Sequence, residues 1–419
     1  MTDPTIDLIA AALFGVAVLH TFAARQFERL AERYPAHEGL LHLLGEVEVV
    51  FGFWAIVLVL TMALTAGGST ALAYAESRNY GEPLFVFVVM VVAASRPVLQ
   101  TVSNAVAALA RLSPWPTALA SVWLGLAAIP LLGSLITEPA AMTLAALMLA
   151  PRVFRAGVPE RIKYLALGVL FVNVSIGGTL TSYAAPPVLM VASTWQWDSA
   201  FMLTTFGWKA ALAVVVNASI GTWLLRSHLV APPADAQHTL DTRVPWPVVI
   251  VHLALLAGVI ALAHHPVAFL GLFLLFLGFT RAYERYQDPP ILKEALLVGF
   301  FLAGLVVLGG LQRWWLQPIV SGLEPLALFF GALGLTAVTD NAALTYLGSL
   351  VTGISDESKY MLVAGAVAGG GLTVIANAPN PAGVALLKQG FADHSIGAGA
   401  LLLGALGPTV VAAAALLLL

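Results

Sequence analysis

The sequence predicts an all-α polytopic membrane protein that is built from two inverted repeats. Of its 419 residues, 60% are hydrophobic and only 10% are charged, and the mean hydropathy is +0.92. Soluble proteins carry about 25% charged residues, so most of this chain is expected to lie in a lipid bilayer. A polar seven-residue phrase at 137–143 returns at 339–345, and a Gly/Pro phrase at 177–187 returns at 369–379. Two phrases repeated in the same order indicate a duplicated unit.

Net charge and cysteine content exclude several classes of function. The net charge of −3 is spread thinly along the chain, which argues against a nucleic-acid partner. Cysteine is absent, so the chain has no disulfide, no thiolate metal site and no cysteine nucleophile. Asp3 and Asp7 precede the first apolar run, whereas a cleaved signal peptide begins with positive charge. We expect the lipid bilayer and small inorganic ions as partners, and a homodimer as the assembly.

Ten apolar runs are each long enough to cross a bilayer, for which about 20 residues are needed. They lie near residues 7–24, 39–66, 84–110, 164–193, 201–224, 246–263, 266–280, 294–311, 361–388 and 396–419. Two further stretches, 116–150 and 323–351, are interrupted in the middle by the first repeated phrase. Each of their arms has roughly 12–17 residues, fewer than a span needs. They are therefore predicted as re-entrant hairpins, with pairs of short spans as the alternative.

Positive charges predict the orientation in a cell (inner) membrane. With the N-terminus outside, 14 of the 19 Lys and Arg residues fall on the cytoplasmic side, in agreement with the positive-inside rule. Those 14 are Arg25, Arg29, Arg33, Arg111, Arg152, Arg155, Arg161, Lys163, Arg226, Arg243, Arg281, Arg285, Lys293 and Lys388. The chain then contains two copies of one order, which is three spans, a hairpin, a broken span and a final span. Because an odd number of membrane crossings separates the starts of the two copies, the second copy is inverted. The predicted domains are a first repeat (1–225), a cytoplasmic linker (226–245) and a second repeat (246–419).

Two acids stand at the centres of the interrupted stretches. Glu138 and Asp340 would face each other near the membrane midplane if those stretches are hairpins. Water-poor surroundings favour the protonated form of a carboxyl group, and a bound cation reverses that preference. Competition between a proton and a cation for one carboxylate is therefore a minimal mechanism for exchange. The alternative is that both acids lie in ordinary loops in contact with water.

Neutral oxygen atoms surround these acids and fill the second repeated phrase. Hard cations prefer oxygen ligands, and a broken helix also offers free carbonyl groups. Near the acids the candidate ligands are Thr137, Thr143, Thr339, Asn341 and Thr345. In the breaks they are Thr181, Ser182, Thr373, Asn377 and Asn380, beside Gly177, Gly178, Pro187, Gly369, Gly370 and Pro379. The alternatives are ordinary helix capping by Thr and Asn, and simple Gly/Pro kinks.

Charged residues within other spans need partners. Arg96 lies at the middle of the third predicted span, and its candidate partners are Glu138, Asp340, Glu46 and Glu48. Glu46 and Glu48 would point to different faces of one helix, so at most one is expected to face the site. A structural ion pair and substrate binding both stay open for Arg96. Two further residues are Lys209, expected to reach outward from its span, and His42, whose i, i+4 spacing to Glu46 is only a weak metal signal.

These motifs resemble the ion transporter superfamily, which contains arsenite, citrate, dicarboxylate and NhaD-type sodium/proton transporters. The segments TDNAALTYLGSLV and GGGLTVIANAPNPAG are similar to a bacterial family of sodium/proton antiporters. In the superfamily the hairpin tips and helix breaks form the substrate and cation sites. The resemblance therefore implies sites at Asp340, Asn341, Thr373, Asn377, Asn380, Glu138, Thr181 and Ser182, with sodium at the first four. Dicarboxylate members carry Ser-Asn-Thr at the tips, whereas acids here disfavour an anionic substrate.

The sequence thus predicts a secondary active antiporter, not an enzyme, that moves sodium against protons and carries no cofactor. Asp340 is the expected coupling carboxylate, because Asn341 beside it offers an oxygen ligand whereas Pro139 beside Glu138 offers none. One alternative is a sodium- or proton-coupled anion carrier for citrate, dicarboxylate, sulfate or arsenite, favoured by Arg96 and Lys209. A remote alternative is a membrane-embedded enzyme that uses Glu46, Glu48 and His42, although the chain has no HExxH motif.

Overall fold

A computed structural model of the chain describes residues 4–229 and 243–419, without the side chains of residues 24, 25 and 28. These residues form helices and turns, with no β-strand in the described ranges. Six of the helices are long and apolar enough to cross a membrane, and two bent helix pairs bring the number to eight. The prediction of an all-α polytopic membrane protein is confirmed. Most of the predicted linker 226–245, the Arg25 side chain and Asp3 lie outside the described residues.

The first half contains thirteen α-helices among the residues described. They are α1 (Pro4–Arg33), α2 (Glu38–Gly45), α3 (Val47–Ala66), α4 (Gly68–Glu76), α5 (Gly81–Ala93), α6 (Arg96–Leu112), α7 (Thr117–Leu126), α8 (Ala128–Ile136), α9 (Glu138–Leu149), α10 (Glu160–Gly177), α11 (Pro186–Trp195), α12 (Ser199–Met202) and α13 (Trp208–Leu225). The second half contains α14 (Trp246–Ala261), α15 (Pro266–Ala282), α16 (Leu292–Gly309), α17 (Arg313–Ser321), α18 (Pro325–Thr336), α19 (Asn341–Ser349), α20 (Asp356–Gly369), α21 (Asn380–Leu387) and α22 (Ala398–Leu418).

The third predicted span, 84–110, is divided into two helices by a sharp bend. Helices α5 and α6 meet at an angle of 63°. A proline at position 97, in the first turn of α6, fixes the start of a new helix there. The face of α6 that carries Gln100, Asn104 and Arg111 is polar, although α5 and α6 together are long and apolar enough to cross a membrane. Arg96 therefore lies at the bend, as the first residue of α6, and not within a continuous helix.

The second predicted span, 39–66, is also divided. Glu46 has φ −77° and ψ 119°, an extended conformation that separates α2 from α3. Gly45 ends α2 directly before it, in agreement with the tendency of glycine to stand at the C-terminal ends of helices. The two acids at 46 and 48 are consequently not presented on one continuous helix.

The two interrupted stretches form helix–turn–helix units. In the first, α8 and α9 pack against each other, and a Cβ added at Gly133 would lie 3.2 Å from Cβ of Ala141. The arm before the turn is longer than expected, because α7 and α8, with 10 and 9 residues, follow each other with a bend of 42°. In the second unit, α18 and α19 are short helices of 12 and 9 residues.

Each long helix that follows such a unit is broken. Helix α10 ends at Gly177 and the chain resumes as α11 at Pro186, while α20 ends at Gly369 and α21 begins at Asn380. Helix α8 packs on α10 and α18 packs on α20, so each hairpin lies against the broken helix of its own half. The second parts of the broken helices are exchanged between halves, because α21 packs on α9 and α11 packs on α19. These exchanged contacts bring both repeated phrases together.

Candidate ion-binding site

Glu138 is the first residue of α9 and is completely buried. Its Oε2 accepts a hydrogen bond of 2.8 Å from Asn377 Nδ2, which comes from the helix break of the other half. Its Oε1 has no hydrogen-bond partner among the described residues, and no ion pair to a Lys or Arg is present there. The carboxyl group packs against Gly178, where a Cβ would lie 2.7 Å from its Cγ. Burial of a carboxylate without a cation is costly.

The residue before Glu138 has a strained backbone. Thr137 has φ 76° and ψ 150°, a region that is essentially restricted to glycine. Its side chain is 2% exposed, and its Oγ1 has no hydrogen-bond partner in the described part of the chain. Strain in a β-branched residue persists only where the surrounding structure enforces it. The turn between α8 and α9 therefore holds a strained, unsatisfied hydroxyl beside the buried acid.

Asp340 is the N-cap of α19 and is less buried than Glu138. Its Oδ1 accepts hydrogen bonds from the backbone amides of Ala342 (2.8 Å) and Ala343 (3.2 Å). The next residue, Asn341, is completely buried, and neither Oδ1 nor Nδ2 of its amide has a partner among the described residues. The capping alternative therefore holds for Asp340 itself, whose second carboxylate oxygen stays available.

Hydrogen bonds between each hairpin and its own helix break establish how the two halves correspond. Thr181 Oγ1 donates to Ser134 O over 2.7 Å, and Thr373 Oγ1 donates to Ala337 O over 2.9 Å. The two donors are 192 positions apart, but the two acceptors are 203 positions apart. A residue of the first hairpin therefore corresponds in the structure to the residue 203 positions later, although the two amino-acid sequences match best at a separation of 202 positions.

The buried residues at the hairpin turns follow the same offset. A Cβ at Gly370 would lie 2.9 Å from Asn341 Nδ2, as a Cβ at Gly178 would meet Glu138. Glu138 is thus the counterpart of Asn341, and Asp340 is the counterpart of the strained threonine of the first half. The structure corrects the sequence alignment, which pairs the two acids with each other, by one residue.

Asp340 lines a cavity of about 670 Å³ that also reaches the second helix break at Thr373 and Asn377. Glu46 and Glu48 line it too. The prediction that at most one of them faces the site is wrong, because Glu46 lies in the extended joint between α2 and α3. Glu46 Oε1 is also 3.2 Å from Lys293 Nζ. Three carboxylates and no Lys, Arg or His are among the described residues that line this cavity.

A second cavity, of about 620 Å³, reaches the first helix break at Ser182 and Tyr183. Glu82, Asp198 and His264 line it, and its lining within the described ranges contains no Lys or Arg. Glu82 Oε1 accepts a 2.6 Å hydrogen bond from Ser193 Oγ. The sequence reasoning overlooked this acid, although a lone carboxylate directly before the apolar run of α5 was a usable signal.

The two cavities have matching walls. Lining positions in the two helix breaks correspond at the offset of 192. The matched pairs are Ser182 and Val374, Tyr183 and Ile375, Leu189 and Pro381, and Ala192 and Val384. The larger cavity lies near Lys293 at the start of α16, where Glu46 is bound. The smaller one is lined by Asn79, Gly81 and Glu82 before and at the start of α5, and by no residue of α16 in the described ranges.

The remaining predicted ligands bind mainly within the protein. Three hydroxyls donate to carbonyl oxygens in or beside their own helices: Thr143 to Pro139 O (2.9 Å), Thr339 to Leu335 O (3.1 Å) and Thr345 to Ala342 O (3.2 Å). Ser182 Oγ lies 3.1 Å from Ser199 Oγ. Asn380 Nδ2 donates to Gly370 O and Thr373 O over 2.8 and 2.9 Å, while its Oδ1 has no partner in the described ranges.

The basic residues that sequence reasoning placed in the membrane lie away from both cavities. Arg96 forms an ion pair with Asp288 (3.8 Å) in the segment before α16. Asp288 is none of the predicted partners Glu138, Asp340, Glu46 and Glu48, since Arg96 lies at the bend before α6 and approaches the segment before α16. Lys209 Nζ donates to the Tyr360 hydroxyl over 2.9 Å.

The predicted weak metal pair on α2 is not assembled. His42 lies 3.5 Å from the carboxylate of Glu38 and is exposed. No group of three His, Cys, Asp or Glu residues in the described part of the chain is arranged to hold a metal ion.

A comparison with known families places the chain among transporters. The family described as "Putative Na+/H+ antiporter" matches residues 5–419. The chain belongs to this family. No curated protein matches the chain. The matched region includes both hairpins, both helix breaks and both cavities. The similarity to the wider ion transporter superfamily remains a resemblance.

In this antiporter family member, several buried side-chain oxygens without partners lie at the hairpin turns and helix breaks. Within the described residues they include Thr137 Oγ1, Glu138 Oε1, Asn341 Oδ1, Asn377 Oδ1 and Asn380 Oδ1. A buried polar atom without a partner carries a desolvation cost. Oxygen atoms of this kind are the ligands that hard cations prefer. The region can therefore bind a small cation or a proton.

Proposed function

We propose that the protein is a secondary active antiporter that exchanges sodium for protons across the cell inner membrane. The observation that carries this proposal is the cavity at Asp340, which three carboxylates line and no basic residue enters among those described. Such a lining attracts cations and repels anions. The two basic residues that favoured an anion carrier, Arg96 and Lys209, are instead bound to Asp288 and Tyr360.

Asp340 is the coupling carboxylate in this proposal. Its Oδ1 holds the first amides of α19, which leaves Oδ2 for a cation. Asn341, Thr373 and Asn377 provide neutral oxygens nearby. A sodium ion that leaves water at this point exchanges hydration for protein oxygens. A proton and a cation compete for the same carboxylate, so binding of either one favours release of the other.

The two cavities support alternating access. One cavity reaches the second helix break and the other reaches the first. Helices α5 and α16 run in opposite directions, since Pro83 near the start of α5 lies against Gly299, whereas Arg96 just after α5 approaches Asp288 before α16. They occupy equivalent places in the predicted repeats, so their opposite directions support an inverted duplication. Exchange then follows if the hairpins and broken helices move between the two cavities.

The proposal is tested by flux in proteoliposomes with an imposed pH gradient and a fluorescent pH indicator. We expect sodium to collapse the gradient with the wild-type protein. Asp340→Asn should abolish the response, whereas the matched control Asp356→Asn, an exposed acid at the start of α20, should retain it. Lithium and potassium, compared with sodium, establish the cation. No sodium response from the wild-type protein, together with uptake of labelled citrate or sulfate, would instead establish an anion carrier.

A further inference from the structure

We propose that Glu138 and Asp340 have separate tasks: Glu138 carries the exchanged proton, Asp340 binds the cation, and Asn377 couples the two. This inference rests on the proposed exchange of sodium for protons and refines it, because it replaces the competition at the single carboxylate of Asp340 with two acids that are coupled through Asn377. It is drawn from the correspondence of the two halves, the different burial of the two acids, and one hydrogen bond between the halves.

The two acids are not copies of one another. With the offset of 203, Glu138 corresponds to Asn341, and each packs against the glycine at its own helix break. Asp340 corresponds to Thr137, and these two residues are the N-caps of α19 and α9. A site that was duplicated and kept one role would place its acids at equivalent positions. The chain instead has an acid at the buried position of one half and at the capping position of the other.

Access to the two acids differs accordingly. Asp340 lines the larger cavity, from which a partly hydrated cation reaches its carboxylate directly. Glu138 is completely buried and lines neither cavity. Asn377 does line the larger cavity and donates to Glu138, so one amide group separates the buried carboxyl from that space. A proton can cross such a separation by local rearrangement, whereas a hydrated ion requires an open path.

The amide of Asn377 provides the coupling. With Glu138 ionised, the hydrogen bond from Nδ2 to Oε2 is charge-assisted and holds the amide in place. The amide oxygen, which has no partner among the described residues, then stays free to bind a cation beside Asp340. A protonated Glu138 is a donor, and after the amide turns it donates to that same oxygen. Cation binding therefore requires the proton to leave Glu138, and one proton is released for each cation bound.

The test separates cation movement from proton movement. Glu138→Ala removes the proton carrier and leaves the Asn377 oxygen free. We expect this variant to retain exchange of labelled sodium for unlabelled sodium, with no dependence on pH. Sodium-driven proton movement should fall to the level of protein-free liposomes. Asp340→Asn should lose both activities, and the matched control Glu357→Ala, an exposed acid on α20, should retain both.

A second variant keeps the volume of the side chain. Glu138→Gln has a permanent donor in place of the protonated carboxyl group, so sodium exchange should be weak at every pH. Two outcomes would overturn the division of tasks: sodium-driven proton movement in Glu138→Ala, or loss of sodium exchange by folded Glu138→Ala. A pH-dependent sodium exchange in Glu138→Gln would overturn it as well. Failure of the proposed function is distinct, since the wild-type protein would then show no sodium-driven proton movement.

Discussion

Asn377 Nδ2 donates a hydrogen bond of 2.8 Å to Glu138 Oε2, although the two residues are 239 positions apart. The bond joins the hairpin turn of the first half to the helix break of the second. It follows from the exchanged packing of α21 on α9. A change in the state of either residue is therefore transmitted to the other half of the chain, and the first prediction tests this bond.

Asn377→Ala should slow sodium-driven proton movement strongly and lower the free energy of unfolding by about 1–3 kcal/mol, because a buried carboxyl oxygen loses its partner. The measurements are proteoliposome flux and thermal unfolding in detergent. The control Asn104→Ala lies on the exposed face of α6 and should change neither. Wild-type flux from Asn377→Ala would show that the bond is structural only.

Gly178→Ala should destabilise the protein, because the added Cβ would lie 2.7 Å from Cγ of the buried Glu138. Overpacking of this kind costs about 1–3 kcal/mol. The matched control is Gly331→Ala on α18, where a Cβ has nothing within 4 Å. That change should stabilise the helix by about 0.5–1 kcal/mol. Equal melting temperatures for the two variants would contradict the packing of Glu138 on Gly178.

The repeated phrases in the sequence identified the right segments but not their alignment. Thr-Glu at 137–138 and Thr-Asp at 339–340 match by letter, and that match pairs the two acids. The structure places helix starts at Glu138 and at Asn341. The difference arises at Thr137, whose positive φ lets α9 begin one residue earlier in its phrase. A strained conformation imposed by tertiary packing has no local signature in the sequence.

Other features were readable in part. The polar face of α6 and the Pro at position 97 indicated that the third apolar run ends early, so the bend before Arg96 could have been predicted. The extended conformation of Glu46 had a weaker signal, a glycine before it. The ion pair between Arg96 and Asp288 had no signal in the sequence, because a contact between distant segments depends on how the helices pack. Local patterns predicted the helices, and packing decided the partners.

The partner of Arg96 leads to a test by double-mutant cycles. Arg96→Gln and Asp288→Asn should each cost about 0.2–1 kcal/mol, and their effects should be less than additive because they break one partly exposed ion pair. Arg96→Gln and Asp340→Asn should be additive within about 0.5 kcal/mol. The free energy of unfolding provides the measurement. Coupling of Arg96 with Asp340 would contradict the observed pairing.

Thr137→Gly should raise the free energy of unfolding by about 1–3 kcal/mol, since glycine adopts the observed φ and ψ without strain. Thr339→Gly is the control, because Thr339 has no positive φ and glycine there should be neutral or destabilising. We expect slower exchange from Thr137→Gly, since the threonine hydroxyl lies beside Glu138 and has no hydrogen-bond partner among the described residues. A destabilised Thr137→Gly would indicate that the packing of the side chain outweighs the strain.

Cysteine labelling tests whether the two cavities open to opposite sides of the membrane. The chain contains no cysteine, so single introduced thiols report without background. Ser182 and Val374 are matched positions that line the smaller and the larger cavity. With the N-terminus outside, Val374→Cys should react with a membrane-impermeant reagent from the cytoplasmic side, and Ser182→Cys from the outside. The buried control Ala405→Cys should react from neither side.

Sodium sharpens this labelling test. A cation at Asp340 lies in the cavity that Val374 lines, so sodium should slow the labelling of Val374→Cys. It should leave Ser182→Cys unchanged, unless cation binding also closes the smaller cavity and slows both. Reaction of both thiols from one side would contradict the arrangement of the cavities, and reaction from the reversed sides would contradict only the orientation. Ser182 and Val374 belong to equivalent helix breaks, and an inverted duplication requires that these breaks open to opposite sides. A wrong arrangement of the cavities is therefore distinguishable from a wrong orientation of the chain.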